Sequence, residues 1–346
     1  MEYPKKPARC RCSAGLRRER CPSEEVTINP VPAIASVEEV PDQLRTGELR
    51  WLDRAPVKPR FSAEVLLRAC RPRQWSKNLL VLAVPAAAGV AARPAIALEV
   101  LAAFVVFCLL ASATYLINDV RDHKQDRHHP TKRSRPVAAG ELSPKAAVSA
   151  AAAMAVVGLS LAAIVRPTLA AVGFAYLVLT GSYSMWWRRI VVADILAIAA
   201  GFVMRAVAGG AATNLDLSRW FLLVTSCGAI FLVTGKRYAE LSDRRNGTPS
   251  RETLRRYSIG SLRLLIATSA TAATVAYAGW AFTRGHEHVL YELSLVPFLL
   301  WLGRYAELLA RGAGEAPEEL ILRDRVLLAL SLAWALVFLA AVYVGR

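Results

Sequence analysis

Acidic side chains are scarce in this chain: 27 Asp and Glu stand against 43 Lys and Arg, leaving a formal net charge of +16. With 55% hydrophobic residues and a mean hydropathy of +0.34, that balance argues against an ordinary soluble domain. Cysteine is sparse too, with six residues. Cys10, Cys12 and Cys21 have no fourth ligand at zinc-site spacing, which argues against a structural zinc. Cys70, Cys108 and Cys227 lie in or beside apolar blocks and read as packed, reduced thiols rather than a disulfide framework. Residues 1–60 have few aromatics, no sustained periodicity and no long apolar core like that of a secretory signal. They read as a disordered cytoplasmic tail ahead of a membrane domain over residues 61–346.

The apolar residues fall into nine blocks that approach or reach bilayer length, at roughly 78–92, 95–117, 145–165, 168–187, 190–211, 219–235, 262–283, 289–310 and 325–345. The first is short and interrupted by Pro85. Positive charge is nearly missing from alternate loops, which offer little beyond Arg93, Arg166, Arg219 and Arg284. The opposite loops are rich in it, from Arg121 to Arg135, at Arg188 and Arg189, from Lys236 to Arg263, and from Arg311 to Arg325. Positive charge marks the cytoplasmic side. The expected fold class is therefore all-α: a polytopic membrane protein with nine transmembrane helices, N-terminus in and C-terminus out, in the plasma membrane. Membrane lipids are its expected surroundings and no nucleic-acid partner is expected; a homo-oligomer is compatible with the sequence.

Where the second block ends, the chain reads Asn118-Asp119-Val120-Arg121-Asp122-His123-Lys124-Gln125-Asp126. On a helix, Asp119, Asp122 and Asp126 follow at steps of three and four and share a face. Crowded carboxylates repel unless a cation lies among them, and hard oxygen donors suit Mg²⁺ shared with substrate phosphates. A solvated acidic helix end, paired with Lys124 and Arg127, is the plainer alternative. The run that follows, His128-His129-Pro130-Thr131-Lys132-Arg133-Ser134-Arg135-Pro136, adds cations within ten residues. Carboxylates for a metal beside Lys132, Arg133 and Arg135 suggest a diphosphate site. Topology alone would explain the cations but not three spaced aspartates. His128 and His129 read as surface residues.

A second charged segment, Thr234 to Arg245, is mainly cationic, with Glu240 and Asp243 as its acids. Lys236, Arg237 and Tyr238 could hold the far end of a polyanionic substrate, or the charge could serve topology only. At the first membrane entry, Arg71-Pro72-Arg73-Gln74-Trp75-Ser76-Lys77-Asn78 sets donors beside an interfacial Trp. These could bind a lipid phosphate or simply anchor the span. In the fifth span Asp194 and Arg205 fall near one helical face. A charge as deep as Arg205 implies a partner or a polar cavity.

Nine spans, N-D-x-x-D-x-x-x-D after the second and a charged loop after the sixth resemble the UbiA superfamily of intramembrane prenyltransferases, over about residues 62–346. Arg71 to Asn78, Asn118 to Asp126, Pro130 to Pro136, Gly235 to Glu240 and Pro317 to Arg325 are similar to the branch that moves phosphoribosyl onto decaprenyl phosphate. Typical members carry a second aspartate-rich motif after the sixth span, where this chain has Lys236, Arg237 and Tyr238. The resemblance implies a UbiA-like helical bundle and transfer from phosphoribosyl diphosphate to a polyprenyl phosphate, toward cell-wall arabinan precursors. It implies Mg²⁺ held by Asn118, Asp119, Asp122 and Asp126, with Lys132, Arg133 and Arg135 on diphosphate. Lys236, Arg237 and Tyr238 would take the 5-phosphate; Arg73, Gln74, Lys77 and Asn78 would receive the lipid phosphate. An isoprenyl transferase and a non-catalytic transporter are the rival readings.

Overall fold

The computed structural model describes residues 62–187, 190–244, 256–284, 289–314 and 317–344. The expected tail over residues 1–60 lies outside them. Among the described residues the chain forms α- and 3₁₀-helices and no strand. Helix α1 (Ala63–Cys70) is followed by a 3₁₀ helix (Pro72–Leu82), α2 (Ala83–Ala87), α3 (Pro94–Asp126), α4 (Pro144–Val165), α5 (Pro167–Met185) and α6 (Val191–Thr213). Then come α7 (Arg219–Arg244), α8 (Ile259–Arg284), α9 (Val289–Leu293), α10 (Leu295–Ala310), α11 (Pro317–Arg323) and α12 (Arg325–Val344). Eight stretches are long and apolar enough to cross a membrane, α9 and α10 counting as one. They match the second to ninth expected spans.

The first expected span takes a different form. In place of one regular helix, the chain uses the 3₁₀ helix and five-residue α2, then turns at Gly89, whose φ is +64°. Pro85 lacks the N–H that a continuing helix requires there. This broken segment lies against α6 at Gly209, where an added Cβ would fall 1.9 Å from the Val81 carbonyl oxygen. Gly209→Ala is therefore expected to lower the melting temperature of the detergent-solubilised protein, because backbone rather than a flexible side chain must move. An unchanged melting temperature would show that the two segments separate easily.

Local chemistry fixes the element ends. Ser143 caps α4, its hydroxyl accepting from the Ala146 N–H at 3.2 Å, with Pro144 at the first helical position. Asp324 caps α12 by accepting from Leu327 N–H at 2.8 Å, and its other oxygen takes Arg304 Nη2 at 2.7 Å. Those bonds hold the Asp324 carboxyl below the ordinary carboxylate range. Its contribution to stability is thus complete above pH of about 4 and disappears as pH falls through the lowered folded value. Asp324→Asn is expected to flatten that acid-side loss in a pH series of thermal melts.

On the face opposite the charged loops, Arg166 donates to Ala212 O at 2.7 Å and to Glu99 Oε1 at 3.0 Å. This ties α3 and α6 to the α4–α5 turn. One apolar cluster joins α3 to α5 around Phe107, Leu110 and Tyr176, and another joins α7 to α10 around Phe231 and Tyr305. The charged residues discussed next stand at the other ends of these packed helices.

Candidate functional site

Helix α3 outruns its apolar core, and its last turns carry the acidic motif. Asp119 and Asp126 are buried, at 2% and 4% exposure, while Asp122 is half-buried. Arg135, returning from the basic run, donates to Asp119 Oδ1 at 3.2 Å and to Asp126 Oδ2 at 2.7 Å. Arg71 also bonds Asp119 Oδ1 and stacks over the Tyr115 ring at 5.1 Å. Arg71 has a left-handed φ of 56°, the end of α1 placed just before Pro72. Asp119 Oδ2 is buried and accepts no hydrogen bond.

The arginines draw Asp119 and Asp126 together, and among the described residues no three His, Cys, Asp or Glu side chains converge as metal ligands. Asn118 Oδ1 accepts from Ser184 Oγ at 2.7 Å, which turns it toward α5. The donor set still suits a hard cation: carboxylate oxygens at a helix end, one of them buried without a partner.

A second charged cluster lies across the end of α5. Arg237, 3% exposed on α7, donates Nε to Asp194 Oδ2 at 2.6 Å and Nη2 to Asp194 Oδ1 at 2.9 Å. Its Nη1 reaches Glu240 Oε2 at 2.6 Å. Tyr183 Oη donates to Asp194 Oδ1 at 2.6 Å, and Tyr257 Oη to Oδ2 at 3.2 Å. Tyr183 and Ser184 are consecutive on α5. One grips Asp194 of the second cluster and the other Asn118 of the first. Arg121 bonds the carbonyls of Ser184 and Met185, so the α5 terminus is held from both sides.

The remaining expected residues scatter by environment. Arg73 is exposed on the 3₁₀ helix, and Lys77 Nζ donates to Gln74 Oε1 at 2.6 Å. Asn78 is fully buried, its Oδ1 accepting from Arg205 Nε at 2.8 Å and its amide donating to Cys108 Sγ at 3.3 Å. It is thus turned into the bundle rather than toward a headgroup. Arg205 also donates to Gly201 O at 2.6 Å and Tyr176 Oη at 2.9 Å. Its depth is met by neutral acceptors and two aromatic faces, not by Asp194.

Lys132 and Arg133 sit on the short 3₁₀ turn Lys132–Ser134, half-buried and exposed respectively. His129 Nδ1 accepts from the Thr131 N–H at 3.3 Å, and partial desolvation, then Lys132, keeps its imidazole below the ordinary value. Lys236 is half-buried. Tyr238 is buried, and Arg263 Nη2 donates to its hydroxyl at 3.2 Å. Arg245, Arg251 and Arg255 lie outside the described residues. Tyr183, Ser184 and Tyr257 belong to these clusters although spacing alone did not single them out, and Arg71, read among the donors at the membrane entry, joins the acidic motif.

A sequence profile of the UbiA prenyltransferase family matches residues 79–331. The chain is 43% identical over 295 residues to a protein of Corynebacterium glutamicum named decaprenyl-phosphate phosphoribosyltransferase, covering 83% of this chain and 89% of the relative. A Mycobacterium tuberculosis protein of the same name is 43% identical over 286 residues, covering 81% of this chain and 95% of that one. Among solved structures, a UbiA homologue from Archaeoglobus fulgidus bound to DMAPP and Mg²⁺ superposes with a TM-score of 0.61 at 17% identity, covering 81% of this chain and 98% of that one. The same homologue bound to GPP and Mg²⁺ gives 0.59 at 16% identity, covering 81% and 99%. These superpositions carry the fold. Membrane-length helices, bundle architecture and a profile spanning most of the chain agree: it is an integral membrane protein belonging to the UbiA prenyltransferase family.

Proposed function

We propose that this chain transfers the 5-phosphoribosyl group of phosphoribosyl diphosphate to decaprenyl phosphate, from the cytoplasmic side of the plasma membrane. The observation that carries the reading is 43% identity, over four fifths of this chain and nearly all of each relative, to proteins named for that transfer. The paired carboxylate and arginine cluster at the end of α3 supplies groups suited to it. In the reaction the C1–O bond to diphosphate breaks, and diphosphate leaves with the electron pair. A phosphate oxygen of the lipid forms the new C1–O bond. That phosphate is largely ionised near neutral pH, so no strong base is required.

Asp119 and Asp126, which Arg135 brings together, would hold Mg²⁺ once Asp122 and Asn118 turn in from the same helix end, and the metal when bound would offset charge on the leaving diphosphate. Arg135 already spans Asp119 and Asp126 and can exchange one of them for a diphosphate oxygen, helped by Lys132 and Arg133. Lys236, half-buried next to Arg237 on α7, would meet the 5-phosphate, since Arg237 is committed to Asp194 and Glu240. Arg73, Gln74 and Lys77 lie at the entry where the lipid phosphate would approach.

Incubation of the purified full chain with labelled phosphoribosyl diphosphate, decaprenyl phosphate and Mg²⁺ is expected to yield labelled lipid. Chelation with EDTA is expected to abolish transfer, and added Mg²⁺ to restore it; indifference to EDTA would remove the metal from this reading. The structural neighbours bound to prenyl diphosphates favour isoprenyl transfer as the second reading. Product formed only from an isoprenyl diphosphate and an aromatic acceptor would decide for it.

A further inference from the structure

A groove of about 550 Å³ runs between α7, α8 and α10, within the size range of ligand pockets of about 300–1,000 Å³. Tyr238 and Arg263 stand at one end, and Ala267, Thr274, Gly303 and Ala306 are among the small residues that make it concave. A Cβ added at Gly303 would meet nothing within 4 Å, so the groove is open there rather than filled by the protein. From Arg263 to Val275 along α8 the lining covers roughly 18 Å, near the depth of one leaflet.

The charge lies at one end only. Arg263 is exposed near the start of α8, on the side of the bundle that carries the charged loops. Its Nη2 donates to Tyr238 Oη, and its guanidinium lies over the same ring at 5.7 Å. No acid among the described residues pairs with it at salt-bridge distance. A cation at headgroup height above a leaflet-deep apolar trough complements an anionic lipid of that leaflet. Tyr238 and Arg237 are consecutive on α7 and so about 100° apart around its axis, one lining this groove and the other reaching Asp194. The groove and the Asp194 cluster therefore lie on different faces of α7.

We propose that this groove is a binding site for one anionic glycerophospholipid of the surrounding bilayer, with an acyl chain along α8 and α10 and its phosphate on Arg263 and Tyr238. The site stands apart from the transferase reading and survives its failure. The acceptor lipid is the competing occupant. The groove lies on a different face of α7 from the Asp194 cluster and none of the carboxylates lines it, which favours the bilayer lipid.

Native mass spectrometry of the full chain, released from nanodiscs of mixed phosphatidylglycerol and phosphatidylcholine, tests the proposal. Wild type is expected to retain phosphatidylglycerol preferentially, and Arg263→Ala to weaken that preference about fivefold, the effect of one cation at the membrane surface. A Cβ at Gly303 meets nothing within 4 Å, so Gly303→Leu projects into the groove and improves helix propensity; it should fold and lose retention of both lipids. Arg263→Ala with unaltered headgroup preference, or Gly303→Leu with unaltered retention, would overturn the site. Displacement of phosphatidylglycerol from wild type by equimolar decaprenyl phosphate, with decaprenyl phosphate itself not retained by Gly303→Leu, would overturn the bilayer-lipid assignment and give the groove to the acceptor.

Discussion

Asp119→Asn is expected to lower phosphoribosyl transfer by about 10²–10³-fold, the scale of removing one preorganised charge-stabilising group, while leaving the chain folded. Asparagine is nearly isosteric, and its oxygen can still accept from Arg71 or Arg135, the present partners of Asp119 Oδ1. It also has no net charge to bury at a position only 2% exposed. The loss should therefore fall on catalysis. Without the Asp119 charge the buried, unpartnered oxygen is no longer a hard donor, Arg135 keeps Asp126, and Arg71 loses its carboxylate partner. Two readouts separate this from general damage. The Mg²⁺ concentration for half-maximal rate should rise, and the melting temperature in detergent should stay near wild type. Rates within about threefold of wild type, against the much larger loss expected of such a group, would show that Asp119 serves only to anchor Arg71 and Arg135.

The membrane architecture is legible in the sequence because hydropathy and loop charge are local properties. Eight of the nine expected spans are regular membrane-length stretches. The exception is the block with Pro85, where a missing N–H and the turn at Gly89 break the helix. The acidic motif is legible too, since the spacing of Asp119 and Asp126 on one helix suffices to bring them to one face. What spacing cannot reveal is which acid meets which cation across helices. Asp194 and Arg205 share a face of α6 but stand about 16 Å apart along its axis, three turns at 1.5 Å per residue. Each is satisfied from a neighbouring element instead, Asp194 by Arg237 of α7 and Arg205 by Asn78 of the 3₁₀ helix. Asn78 and Arg237, which by position looked like substrate donors, are consumed by those cross-helix bonds. Tyr183, Ser184 and Tyr257 carried no pattern that marked them, because their roles arise from where α5 ends and α8 begins.

The Asp194–Arg237 pair yields the second large effect. Both side chains are 4% exposed and meet through two hydrogen bonds. Breaking such a pair by removing one partner costs about 3–5 kcal/mol, because the other charge is left buried. Arg237→Gln should be the worse of the two single variants. It leaves Asp194 with only hydroxyl donors and Glu240 without its arginine, whereas Asp194→Asn leaves Arg237 still paired with Glu240. The double variant Asp194→Asn/Arg237→Gln buries neither of these charges and should recover part of the loss, with a coupling of about 1–3 kcal/mol in a cycle of thermal or chemical melts. The same cycle decides what Arg237 does in the reaction. As a positioning residue that holds α7 against α6 and the α5 terminus, its effect on KM for phosphoribosyl diphosphate should shrink when Asp194 is neutralised as well. Were Arg237 itself the ligand of the 5-phosphate, the double variant would keep the full KM defect of Arg237→Gln, since no change at Asp194 restores a missing guanidinium. Lys236→Gln provides the contrast: a half-buried cation whose loss should raise KM with little change in melting temperature. Stability that tracks the Asp194–Arg237 pairing, with donor affinity that tracks Lys236, is the division of labour this geometry requires.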